Sequence, residues 1–131
     1  MSEVKFDLAQ LDLTAKSNDG SWLELEHPVT GEPLGIKIKL AGVDSDIYKK
    51  QLRKLQDRRL RKGLRTITAE EFEEEQLQLL VACTLDWKGM VYEGKELEPT
   101  RENIRMVYEK FSWIREQVDN FIGDRRNFLK S

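Results

Sequence analysis

Residues 36–48 read IKIKLAGVDSDIY, and the change of period inside this stretch decides the fold. Apolar side chains alternate with lysines through Ile36, Ile38 and Leu40. Successive side chains of a strand point to opposite faces, so these three share one buried face. Ala41-Gly42-Val43 breaks the alternation, and Asp44 or Ser45 can accept the free N–H groups of a new helix. From Asp46 to about Arg61 the spacing becomes helical: Tyr48, Leu52 and Leu55 fall at i, i+4 and i+7, and Ile47 and Leu60 widen the stripe. Gly63 is placed to end it.

Upstream, Trp22 to His27 alternates around Leu23 and Leu25, and Pro28-Val29-Thr30-Gly31-Glu32-Pro33 is rich in turn formers. A β-hairpin over 21–41 follows. Two strands are marginal in water, so the hairpin should pair with residues 1–13 or pack on a helix. Residues 1–20 alternate weakly (Phe6, Leu8, Leu11, Leu13) and run into the loop signal Ser17-Asn18-Asp19-Gly20. They read as a mobile arm or an edge strand.

Downstream, Thr68-Ala69-Glu70-Glu71 is a capping box, and five Glu between 70 and 75 suit the positive end of a helix dipole. This second helix is expected to reach about Asp86. Its later half (Leu77, Leu79, Leu80, Val81, Ala82, Cys83, Leu85) is apolar nearly all round, as for a helix at the centre of the core. Trp87 to Lys95 reads as a loop or irregular ribbon. Thr100 caps a third helix with Ile104, Val107, Tyr108 and Phe111 inward, and Ser112 caps a fourth with Trp113, Ile114, Gln117, Val118, Phe121 and Ile122 inward. The expected fold is α+β and mainly α: an N-terminal hairpin followed by about four helices in one compact domain, with a helical body over 44–123 and a charged tail over 124–131.

The length, 131 residues, suits one domain. Three Trp, five Phe and three Tyr supply a core that a disordered chain would lack. Net charge is −2, which gives no global electrostatic case for nucleic acid or membrane binding. One cysteine, Cys83, allows no internal disulfide, no His/Cys cluster suggests a metal, and the opening MSEVKFDLAQLDL lacks a signal-peptide pattern. These features point to a reducing cytoplasm.

Catalysis finds no foothold. The single histidine, His27, sits in the hairpin without a partnered nucleophile, and the carboxylates lie on helix faces or in a helix first turn. No glycine-rich phosphate loop is present. The chain is expected to be no enzyme, with no catalytic, cofactor or metal-binding residues. The notable constellation is charge. Lys49, Lys50, Arg53, Lys54, Arg58, Arg59, Arg61, Lys62 and Arg65 place nine positive charges within seventeen residues, opposed by Asp57 alone, and the acidic helix follows at once. Lys50, Arg53, Lys54, Arg58, Arg59, Arg61, Lys62, Glu70, Glu73 and Glu74 therefore form the candidate assembly or partner surface. The alternative is a small helical nucleic-acid-binding or regulatory protein that uses the basic helix 46–62 on phosphates.

The order of several short segments adds a resemblance. Gly42-Val43-Asp44-Ser45 after a strand, Leu85-Asp86-Trp87-Lys88-Gly89 after a Glu-rich helix, Glu93-Gly94-Lys95-Glu96-Leu97, Thr100-x-Glu102-Asn103 with Tyr108, and Trp113-Ile114-x-x-Gln117-Val118 together resemble the tail assembly chaperones of bacteriophages with long non-contractile tails. The likeness covers roughly residues 35–128. It implies a non-enzymatic protein that binds and solubilises the tape measure protein and helps recruit tail tube subunits. It also implies a ring-like or helical homo-oligomer, action in the host cytoplasm and absence from the mature virion. Many such proteins come in a short form and a longer form made by programmed frameshifting, and this chain would be the short form. Tube protein contact would then run through the longer one.

Overall fold

The alternation at Ile36, Ile38 and Leu40 becomes the middle strand of a three-stranded antiparallel sheet. The computed structural model describes residues 7–63 and 66–129. Strand β1 (Ser21–Glu26) and strand β2 (Pro33–Leu40) form the expected hairpin, and β2 also pairs with β3 (Thr84–Lys88) on its other edge. In register, Ile38 lies between Leu23 and Trp87 on the covered face, whereas Lys39 lies between Trp22 and Asp86 on the open one. One face packs and one face meets water, as antiparallel sheets allow.

The third strand corrects the expectation that the second helix runs to Asp86. Helix α3 spans Ala69–Cys83 and ends on Thr84, and the chain turns directly into β3. A short apolar run has no decisive period, and the open edge of β2 settled which structure these residues adopt. Trp87 to Lys95 is likewise no irregular ribbon. It completes β3 and then folds as a small hairpin of β4 (Val91–Tyr92) and β5 (Lys95–Glu96). Glu93 (φ 51) and Gly94 (φ 79) occupy the two turn positions that a two-residue hairpin requires at positive φ.

Residues 7–20 form neither the expected arm nor an edge strand. Leu8–Leu11 forms one 3-10 turn and α1 spans Thr14–Asp19, while residues 1–6 lie outside the described part of the chain. The Asn18 side chain accepts from Asp46 N at 2.7 Å and donates to Asp46 Oδ2 at 2.9 Å, so it serves the start of α2 (Asp46–Lys62). Residues read as a loop signal thus act as a cap from elsewhere in the chain. The C-terminal residues also dock: α6 (Arg126–Leu129) buries Phe128, and Arg125 Nε pairs with Asp44 Oδ2 at 2.7 Å. A Cβ at Gly42 would come within 2.9 Å of Ser17 Oγ and 3.0 Å of the Phe128 ring, which explains glycine at that corner. Both terminal segments therefore close on the bend between β2 and α2.

Helices α4 (Arg101–Lys110) and α5 (Ser112–Gly123) fall where the periodicity puts them. Thr100 caps α4, its side chain accepting from Asn103 N. Ser112 does not cap α5; it is the first helical residue, and Phe111 precedes it without a side-chain cap. One residue, Phe111, separates the two helices, so packing of Ile114, Val118 and Ile122 replaces a cap as the source of order.

The core joins Leu25, Ile38 and Leu40 of the sheet to Leu77, Leu80 and Cys83 of α3, Ile104, Val107 and Tyr108 of α4, and Ile114, Val118 and Ile122 of α5. Each large side chain taken fully from water contributes about 1.5–3 kcal/mol before entropy is counted. Polar bonds also run through this core. Thr84 Oγ1 lies 2.7 Å from the Tyr108 hydroxyl and also donates to Leu80 O, which satisfies the buried phenol while desolvation pushes its pKa up. The architecture is α+β, with helices covering one face of a sheet whose third strand arrives late in the sequence.

Candidate assembly surface on the charged helices

Helix α2 begins at Ser45, whose Oγ accepts from Tyr48 N at 3.1 Å, and ends at Gly63 in the left-handed conformation. Both ends match expectation. Its apolar stripe does not behave as a core stripe, however. Of its seventeen residues only Leu55 is buried, while Ile47 and Leu52 are 37% exposed and Leu60 is 78% exposed. The helix touches the body along one narrow line and stands out on the rest.

That line joins buried Leu55 and half-buried Tyr48 to an ion pair. Arg59 makes a two-point pair with Glu75 of α3, with its Nε 3.1 Å from Glu75 Oε2. Arg58, Arg59 and Lys62 face Glu70, Glu71, Glu74 and Glu75 across a cleft of about 290 Å3. Glutamates that favour the positive end of the α3 dipole thereby also neutralise the cationic end of α2. Thr68 Oγ1 accepts from Glu71 N at 3.1 Å, the expected cap.

The ten predicted residues are divided by the fold rather than gathered into one patch. Arg58, Arg59, Lys62, Glu70 and Glu74 meet at the α2–α3 cleft. Glu73 also looks onto a separate cleft of about 300 Å3 between α3 and α5, lined by Phe72, Gln76, Leu80, Arg115, Glu116 and Asp119. Lys50, Arg53, Lys54 and Arg61 are exposed and make no ion pair among the described residues. Arg65 lies outside the described residues.

Two participants were not legible in the sequence. Arg105 of α4 reaches Glu74 with Nη1 at 3.0 Å and also pairs with Glu109 at 2.6 Å. Its hydrogen bonds, joined by one from Gln78, hold the Glu74 carboxyl below the usual carboxylate range. Phe72, in the first turn of α3, is 51% exposed. The i, i+4 spacing of Arg105 and Glu109 was a visible signal; the reach to Glu74, thirty-one positions away, was not.

The remaining singled-out residues have structural roles. His27 is exposed, and its Nδ1 accepts from Val29 N and Thr30 N, which organises the loop between β1 and β2. Cys83 is buried, and desolvation pushes its thiol up to about 12, so it carries negligible thiolate at neutral pH. Trp87 is core, with Nε1 donating to Leu97 O at 2.8 Å, and Trp113 is half-buried against Phe111. Among the described residues no helix is long and apolar enough to cross a membrane. Compared with protein-family models, with curated proteins and with solved structures, the chain matches none.

Proposed function

We propose that this chain is a tail assembly chaperone of a long-tailed bacteriophage, a binding protein that keeps the tape measure protein soluble while tail tube subunits are recruited. The observation that carries the reading is helix α2, a projecting helix that offers most of its length to a partner and buries one residue of its own. The segments that carry the resemblance are also those that shape the fold. Gly42 to Ser45 forms the corner, Leu85 to Gly89 the inserted strand and its exit, and Trp113 to Val118 the helix beside β1. Such a distribution suits a protein whose work is done by a shaped surface. Self-association, action in the host cytoplasm and departure before the virion matures belong to the same proposal.

The nucleic-acid alternative draws on the same helix but is less well supported. Glu75 already occupies Arg59, Asp57 interrupts the exposed cations, and the neighbouring cleft carries four glutamates that would repel a phosphate backbone. Co-expression with a long-tailed phage tape measure protein tests the chaperone reading. A soluble complex of the two is expected; a partner that stays insoluble and unbound overturns the reading.

A further inference from the structure

Helix α2 has two long sides, and the fold uses one of them. On the used side Leu55 is buried and Arg59 is held by Glu75 of an acidic helix. Beside it, i, i+4 spacing lines up two adjoining ridges that start at Leu52, on the border of the used side, and wind onto the far side. Leu52, Gln56 and Leu60 form the first; Lys49, Arg53, Asp57 and Arg61 form the second, and all seven side chains are exposed.

We propose that this second side docks an acid-faced amphipathic helix of the tape measure protein, laid along α2 as α3 is laid on the opposite side. The inference rests on the chaperone reading and supplies the chemistry of the bound segment. Three observations support it. The fold itself shows what α2 binds, since its intramolecular neighbour opens with five glutamates among six residues. The unused side offers the same cations without carboxylates to balance them, apart from Asp57. Finally, the leucine ridge lies beside the cation ridge, and Leu52 and Leu60 stand about 12 Å apart along the axis at 1.5 Å per residue. A helix whose ridge enters the groove between them would place apolar anchors two turns apart on the leucines and its carboxylates on Arg53 and Arg61. A phosphate backbone would gain from the cations but not from exposed leucines.

Fluorescence anisotropy with the full chain and labelled synthetic helices provides the test. The probes are an amphipathic helix with a leucine seam flanked by Glu, its Glu→Gln twin, its Glu→Lys twin, and a duplex DNA of about 20 base pairs. The acidic helix should bind at least about tenfold more tightly than the Gln twin in low salt and lose that advantage as salt rises. The triple variant R53E/K54E/R61E should transfer the preference to the Lys twin, and Leu60→Ala should weaken the acidic helix severalfold; these side chains are exposed, so an unchanged circular dichroism spectrum is expected alongside. Equal affinity for the acidic and Gln helices, no binding at all, or tighter binding of the DNA would overturn the proposal. Failure of the broader reading is distinguishable. If the triple variant still solubilises the tape measure protein as well as the wild type does, this docking side is wrong and the chaperone reading stands. If the wild type binds the acidic helix yet leaves the tape measure protein insoluble, the chaperone reading falls and the docking chemistry remains.

Discussion

Helices α2 and α3 are neighbours of similar length and heavy charge, yet they have opposite relations to the core. In α3 four of fifteen residues are buried, and its apolar second half is enclosed by the sheet, α4 and α5. In α2 one of seventeen is buried. Both sequences carry leucines at helical spacing, so periodicity alone does not distinguish them. Neighbours do. Elements that arrive later in the chain cover α3 on several sides, whereas α2 meets α1 at its first turn and α3 along one side, and leaves most of its surface to water. A leucine in the second half of α3 stabilises the fold; a leucine on the far side of α2 is left for something else.

The largest expected effect that could break this contrast is at Leu80. Removing its buried side chain with Leu80→Ala should cost about 2–5 kcal/mol in urea denaturation, through lost transfer energy and the cavity left behind. A loss under about 1 kcal/mol would mean that α3 is no more central than α2. The caps come next. Ser45 is fully buried at the start of α2 and Thr68 is exposed at the start of α3. Ser45→Ala should cost about 1–2 kcal/mol and Thr68→Ala about 0.5–1 kcal/mol. The reverse order would show that α2 owes little to its buried anchorage.

A smaller effect, and one that depends on pH, concerns the acidic side of α3. The Arg105 hydrogen bonds depress the Glu74 carboxyl, so its contribution is complete above the unfolded value of about 4.3 and disappears as pH falls through the lower folded value. The Glu74 side chain is 41% exposed, so screening limits that contribution to about 0.2–1 kcal/mol. Wild type and Glu74→Gln should differ by that amount at pH 7 and converge near pH 3; a constant gap would assign the difference to packing. The smallest effect belongs to α2. Leu60→Ala should leave stability within about 0.5 kcal/mol, as for an ordinary surface position. A larger loss would place Leu60 in a packed site and remove it from the partner surface.

Much of the local structure was legible. Alternation located β1 and β2, Thr68, Thr100 and Ser45 located three helix starts, and Gly63 located the end of α2, because each of these acts within a few residues of itself. What escaped were long-range partnerships. Thr84 to Lys88 resembles a helix continuation until the free edge of β2 is considered. Asn18 looks like a loop former until Asp46 is found beside it. The terminal residues look like loose charge until Phe128 meets Gly42. The candidate surface divided in the same way: its residue types were visible, but the pairing of Arg59 with Glu75 and of Glu74 with Arg105 was not.

By itself, then, the sequence determined the α+β class, the hairpin, most helix boundaries and the density of charge on two successive helices. Those depend on side-chain period and on caps, both local quantities. Only the tertiary structure decided that a third strand joins β2, that both terminal segments close on one corner, and which cations of α2 are neutralised and which remain exposed. Such outcomes depend on which surfaces compete for the same neighbour, and that competition is settled between residues far apart in the chain.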